Sequence, residues 1–380
     1  MPNFSAKWGL MEQLQAVAAG TWTGLPAYEL YAWGYNQQGQ LGQNDVVNRS
    51  SPVQTGTLAN WAAISACLRT SASTKTDGTL WTWGSNNNGQ LGDGTVVYRS
   101  SPIQVGSLSN WLQASAGDTH TASVKTDGTI WAWGQGSFGR LGDNTIVAKS
   151  SPVQVGALTT WNKVSCGGYN TLAVMLNGTL WSWGRNAQGQ VGDNTIISRS
   201  SPVQIGALTN WLQASVGKQH SAAVKTDGTI WTWGYSYAGR LGLGFPQPRS
   251  SPTQVGALTN WAFVAAGYNT TAAVKTDGTL WTWGAGTAGG LGDNTTINKS
   301  SPVQIGALTN WYQVSSGRNG MAAVKTDGTL WAWGYNNRGQ LGQDNIISRS
   351  SPVQVGSRTG WSSVSTGQFF NIAILQGTSN

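Results

Sequence analysis

Imidazole is the side chain whose ordinary pKa lies closest to neutrality, so the search for chemistry begins at the two histidines, His120 and His220. They occupy equivalent places in two copies of an internal repeat, and no cysteine or carboxylate cluster accompanies either one. A zinc site needs three or four converging ligands and a nucleophilic triad needs a base beside its nucleophile, so neither is expected. Cys67 and Cys166 fall at different offsets in their repeats, where other copies carry small residues, and no disulfide is expected between them. Asp143-Asn144-Thr145 and its relatives offer one carboxylate each, too few for calcium. Residues 134–139 and 284–289 match G-x-G-x-x-G, but each runs on to Leu-Gly and a strand, where a dinucleotide fold would open a helix. The expectation is a protein with no catalytic residue, cofactor or metal.

What does recur is a tryptophan strand. Leu80-Trp81-Thr82-Trp83-Gly84 returns in variant form every 50 residues, ending at Trp33, Trp83, Trp133, Trp183, Trp233, Trp283 and Trp333. Residues two apart share one face of a strand, and no single small sheet hides so many indoles, so the copies must bury each other. One unit reads as strands at 111–116 and 120–125, an Asp127-Gly128 hairpin, a third strand at 130–133 and a fourth at 151–155. Seven such units give an all-β fold: a seven-bladed β-propeller of four-stranded antiparallel blades. A small residue four places after the linker Trp (Ser65, Ser115, Ser165, Ser215, Ala265, Ser315, Ser365) marks the strand nearest the narrow axis. Proline, which cannot donate to a ladder, marks the outer edge at Pro52 and its six equivalents. The repeat opens on a third strand at 29–33 and stops on a second at 370–374, so these two should pair and close the ring.

Residues 29–380 are therefore read as one propeller and residues 1–28 as an extension. Ser5 is placed to cap a short helix to about residue 19, with Trp8, Met11 and Leu14 on its apolar stripe, either packed on its own propeller or serving as an anchoring segment for another protein. Ala16-Val17-Ala18 mimics a signal-cleavage site, but Glu12, Gln13 and Gln15 interrupt the apolar run before it; neither a secretory signal nor a membrane span is expected.

The pattern Trp-Gly-x4-Gly-Gln-Leu-Gly, whole at Trp83 to Gly92 and at Trp333 to Gly342, resembles the regulator-of-chromosome-condensation repeat family, as does Gly-x-x-His-Thr at Gly117 to Thr121. The likeness covers about residues 29 to 375 and implies a seven-bladed propeller that works by protein contact. The family includes a GTPase exchange factor on chromatin, ubiquitin-ligase modules and a bacterial β-lactamase inhibitor. The plant ultraviolet-B photoreceptor looks like a member too, but its sensing tryptophans would fall at Leu68, Asp118, Gly168, Lys218, Tyr268, Arg318 and Gln368, none of which is Trp. The near-identity of the copies resembles repeat proteins of bacteria and their phages.

The net charge of +8 reads as dispersed. Arg49, Arg99, Lys149, Arg199, Arg249, Lys299 and Arg349 hold one repeat position, and Lys75, Lys125, Lys225, Lys275 and Lys325 each precede an Asp by two. Both sets are expected to be solvated, and nucleic acid is not an expected partner. Variation among the copies is confined to two loops. Between the first and second strands it brings Arg69, Asp118, His120, Tyr169, Lys218, His220, Tyr268, Arg318 and Phe369; after Trp-Gly it brings Asn86, Phe138, Arg185, Tyr235, Tyr237, Tyr335 and Arg338. In an up-and-down meander both loops leave at one pole, while the constant turns and both termini share the other. The varied pole is expected to bind and the constant pole to anchor. The leading functional expectation is a non-enzymatic protein-binding or structural propeller, a phage virion component (tail, fibre or capsid surface) contacting virion proteins through residues 1–28 and a host-surface ligand through the varied pole. The alternatives are a secreted enzyme inhibitor and a GTPase exchange factor or chromatin-type adaptor; outside a virion, the sequence assigns no compartment.

Overall fold

The computed structural model describes residues 27–377, so the expected helix and the anchors Trp8, Met11 and Leu14 lie outside the described residues. Seven four-stranded antiparallel sheets follow one another around an axis. The second blade is typical: Trp111–Ala116, His120–Lys125, Ile130–Gly134 and Lys149–Gln154 pair in that order. The seventh is assembled from both ends of the chain, with Tyr28–Gly34 running antiparallel to Phe370–Gln376, Leu30 opposite Ile374 and Trp33 opposite Asn371. That pairing brings both ends of the described residues to the constant pole, where Gly377 N donates to Ala27 O and Gln376 N to Gly360 O.

The repeat signature is a clamp between blades. Leu91 is fully buried, and Gly92 lies at φ +74, where an added Cβ would come within 2.7 Å of Trp133 Nε1 in the next blade. The indole Nε1 of Trp133 donates to Gln90 O at 2.9 Å, and Trp33, Trp83 and Trp233 make the same bond to Gln340, Gln40 and Gln190. Glycine and tryptophan are thus two halves of one contact. Within each blade the linker Trp packs edge-on against a third-strand aromatic, as with Trp111 and Trp131 at 6.3 Å between centroids; such pairs add about 0.5–1.5 kcal/mol each beyond the area they bury.

The first strands do line the axis, but smallness is only half the reason for serine there. Ser115 Oγ accepts from Cys166 N in the next blade at 2.9 Å, and Ser65, Ser165, Ser215, Ser315 and Ser365 do the same for their neighbours. The circle is open at one place, where Ala265 has no hydroxyl to offer Ser316 N.

The lysines before Asp are not solvated. Lys75, Lys125, Lys225, Lys275 and Lys325 are buried, each capping the Trp pair of its own blade; Lys125 Nζ lies 3.8 Å from the Trp131 ring centre and 4.6 Å from that of Trp111. Burial depresses their pKa, and the neighbouring Asp partly opposes that. Met175 fills the corresponding place in the third blade, so the position selects a long stem as much as a charge. The outer row is not free either: Arg49, Arg99, Lys149, Arg199 and Lys299 each pair with an Asp of their own blade.

Candidate functional site

The two varied loops meet at one pole and interlock there. Arg185, from a loop after Trp-Gly, lies over Tyr169, from a first-to-second-strand loop, and over Phe138. Phe369 packs against Tyr35 and Tyr335, while Arg69 and Arg338 both lie over Tyr35. Tyr268 takes Lys218 on its ring at 3.9 Å and Arg318 at 4.9 Å. Tyr235 and Tyr237 stack nearly parallel, 6.2 Å apart, beside Arg240. Arginine over aromatic faces is therefore the texture of this pole. Phe138, Tyr237 and Arg338 stand exposed, Arg240 is buried, and the others are half-buried among one another.

Charge is not dispersed after all. Of the 22 basic residues, Arg69, Arg140, Arg185, Lys218, Arg240, Arg318 and Arg338 gather on the inner part of this pole, where Asp118 is the one described carboxylate; the aspartates of the same loops, such as Asp45, Asp93 and Asp193, stand at the outer row and pair with its own basic residues. Elsewhere basic and acidic residues nearly balance, so most of the net +8 resides in this pole. Sequence position concealed this because the seven basic residues sit at five different repeat offsets. Round the outer edge of the same pole stand aliphatic pairs, Val96-Val97, Ile146-Val147 and Ile196-Ile197 among them, 56–69% exposed.

Three residues placed on this surface by their loops are sealed beneath it. Asn86 is fully buried, its carboxamide tying the loop together through Thr95 O, Val97 O and Leu91 N. His120 and His220 are also fully buried. Thr171 Oγ1 donates to Arg140 O, so His120 Nε2 must carry the proton it shares with that hydroxyl at 2.9 Å; His220, Thr271 and Arg240 repeat the arrangement. Burial, reinforced by the nearby guanidinium, holds both imidazoles neutral and far below the usual histidine range. They join adjacent blades and meet no partner.

Arg140 and Arg240, only 1% exposed, went unnoticed in the sequence. Burial brings each guanidinium down to about 10. Arg140 is held by Thr119 Oγ1, Ser137 O and Gly168 O. A signal for them exists: Gly-Gln-Leu-Gly becomes Gly-Arg-Leu-Gly only in the two blades that carry histidine.

At the axis, Cys67 donates its thiol to Asp118, and burial first, then that carboxylate, pushes it well above the ordinary cysteine value; burial pushes Cys166 up to about 12. Both are free and neither is an activated nucleophile. Among the described residues no group of three His, Cys, Asp or Glu converges on a metal position, and no helix is long and apolar enough to cross a membrane.

A model of the RCC1-like domain matches residues 163–379, and models of the regulator of chromosome condensation (RCC1) repeat match residues 29–67, 77–124 and 127–174. The chain belongs to the RCC1-like family. Among solved structures this RCC1-like propeller is similar to human WBSCR16 (22% identity, 92% of this chain and 99% of that one, TM-score 0.82). It is also similar to yeast RCC1 (Prp20) bound to Kap60 (18%, 94% and 90%, 0.83) and to Prp20p of Saccharomyces cerevisiae studied for its binding to Gsp1p and histones (18%, 93% and 93%, 0.82). At these identities the likeness establishes the fold. No curated protein matches the chain by sequence.

Proposed function

We propose that this RCC1-like propeller is a non-enzymatic protein-binding module that meets its partner through the varied pole, and that the partner surface is acidic. The observation that carries this reading is the gathering of seven basic residues and a set of aromatic rings around one carboxylate on the pole where the blades differ. Aromatic and arginine side chains are the usual energetic anchors of protein interfaces. The similar yeast propeller contacts proteins, which supports the general class. The test is capture of binding proteins by the full chain and by a variant carrying Phe138→Ala, Arg185→Ala, Tyr237→Ala and Arg338→Ala. Binding lost in the variant at unchanged stability supports the proposal; binding retained overturns it.

A second reading, an exchange factor for a small GTPase, draws on the likeness to yeast RCC1, and nucleotide release from candidate GTPases decides it. The constant fifty-residue spacing leaves no room for an inserted wedge in any blade, which counts against it. Anchoring in a virion through residues 1–28 is proposed on the sequence alone, and a chain lacking those residues that still joined its assembly would end it. A secreted inhibitor would use Tyr235, Tyr237, Phe138 and Phe369 as anchors, and a β-lactamase inhibition assay separates it.

A further inference from the structure

At the varied pole the first strands enclose an axial cavity of about 160 Å³. The cavity opens to solvent at its mouth and has room for ordered water and an entering polar group. Its collar is stiff. Besides the serine bonds, backbone N–H groups of Asp118, Gly168, Lys218, Tyr268 and Gln368 each donate to a carbonyl of the next blade. Lys218 and Arg318 stand at the mouth on either side of Tyr268, and Arg318 also lies over Phe369. All ion pairs among the described residues lie elsewhere, at the outer row. Arg318 makes no hydrogen bond to another described residue, and Lys218 bonds only the Tyr268 hydroxyl through its ammonium. The contrast with Arg99, whose Nε and Nη2 are both taken up by Asp93, is direct. Cations held by a ring face keep their N–H donors free for an incoming acceptor.

We propose that this mouth is a socket for a single oxyanion, a carboxylate or a phosphate group carried by the partner, bound by Arg318 and Lys218 and opposed by Asp118. The proposal rests on reading the varied pole as the contact surface and adds what the axis recognises. Asp118 gives it a sharp signature. The Asp118 carboxylate senses both cations from the other side of the collar while accepting the Cys67 thiol, so it repels an entering anion and competes for the same charges.

The experiment titrates the full chain by calorimetry with inorganic phosphate and, separately, with N-acetyl-glutamate α-amide, whose only charge is its side-chain carboxylate. One saturable site per chain is expected for at least one probe, and the stronger one identifies the source of the oxyanion. Arg318→Gln is expected to weaken it about tenfold or more, the loss of a charge-assisted hydrogen bond, Lys218→Met to weaken it less, and Asp118→Asn to strengthen it. Absence of saturable binding by both probes overturns the socket, and so does binding that Arg318→Gln and Asp118→Asn leave unchanged. Because the probes are small, a failed partner-capture test leaves this titration meaningful, and a failed titration leaves partner capture meaningful.

Discussion

The two poles of this ring are built from the same fifty-residue unit and differ in what their turns do with charge. At the constant pole each Asp is consumed locally: Asp127 accepts from Thr129 N and Oγ1, Thr129 Oγ1 accepts from Trp131 Nε1, and those hydrogen bonds first of all hold the carboxyl below its ordinary range. Lys125 covers the tryptophans behind it. On the inner part of the varied pole Arg185, Arg318 and Arg338 lie on aromatic rings, and Asp118 is the one carboxylate beside them. One pole engages its polar groups in its own turns, whereas at the other Arg318 makes no hydrogen bond to a described residue and stays on ring faces. Six leucines, Leu58, Leu108, Leu158, Leu208, Leu258 and Leu308, stand 47–50% exposed in the linker turns of the constant pole, an apolar circle unlike the basic one opposite.

The comparison breaks most decisively if contact residues prove as costly to remove as framework residues. Trp133→Ala should destabilise the chain by about 3–5 kcal/mol in urea unfolding. Tyr237→Ala should stay within about 0.5 kcal/mol of the parent. Equal losses would show that the varied pole is framework as well.

The buried histidines sharpen the boundary between surface and interior. Their folded pKa values are depressed, so the stability they allow is present above the unfolded value near 6.5 and is lost as pH falls through and below it. Unfolding free energies from urea titrations at pH 7.5 down to 5 should fall by up to about 1.4 kcal/mol per pH unit for each histidine. His120→Asn with His220→Asn, which copies the Asn170 found at the equivalent place in the third blade, should flatten that slope. An unchanged slope would mean the imidazoles are open to solvent and belong to the contact surface. Loss of stability from the paired carboxylates such as Asp93 and Asp193 belongs to a separate window below about 3.8.

The smallest effects test the axis. Ser115→Ala orphans the Cys166 N–H and should cost about 1–3 kcal/mol, whereas Ala265→Ser supplies the missing acceptor for Ser316 N and should stabilise by about 0.5–1.5 kcal/mol. If Ala265→Ser destabilises, the serine circle reflects size alone.

The fold was legible because seven copies repeat each local signal. A lone Asp-Gly or a lone proline is weak evidence, but six Asp-Gly or Asn-Gly turns and seven prolines at one spacing fix hairpin and edge, and the offset between residues 29 and 370 fixes closure. The site was half legible. Variation among the copies placed both loops at one pole, where the structure also has them, and named most of the aromatic and basic residues there, yet it could not separate a residue that varies because it faces solvent from one that varies because two blades meet there. His120, His220 and Asn86 are of the second kind, and the arginines that accompany the histidines were the clue. Nor could the sequence show that Lys125 lies over indoles, since Asp127 two residues on suggested a simpler partner for it.

The most direct test of the central claim is quantitative binding of a captured partner to three chains: the parent, the varied-pole variant Phe138→Ala, Arg185→Ala, Tyr237→Ala, Arg338→Ala, and a constant-pole variant Leu108→Ser, Leu158→Ser, Leu208→Ser. Affinity should fall at least about tenfold in the first variant, the loss of one or more aromatic or arginine anchors, and stay at the parent value in the second, with unfolding midpoints matched. Undiminished binding by the varied-pole variant together with loss in the constant-pole variant would contradict the account.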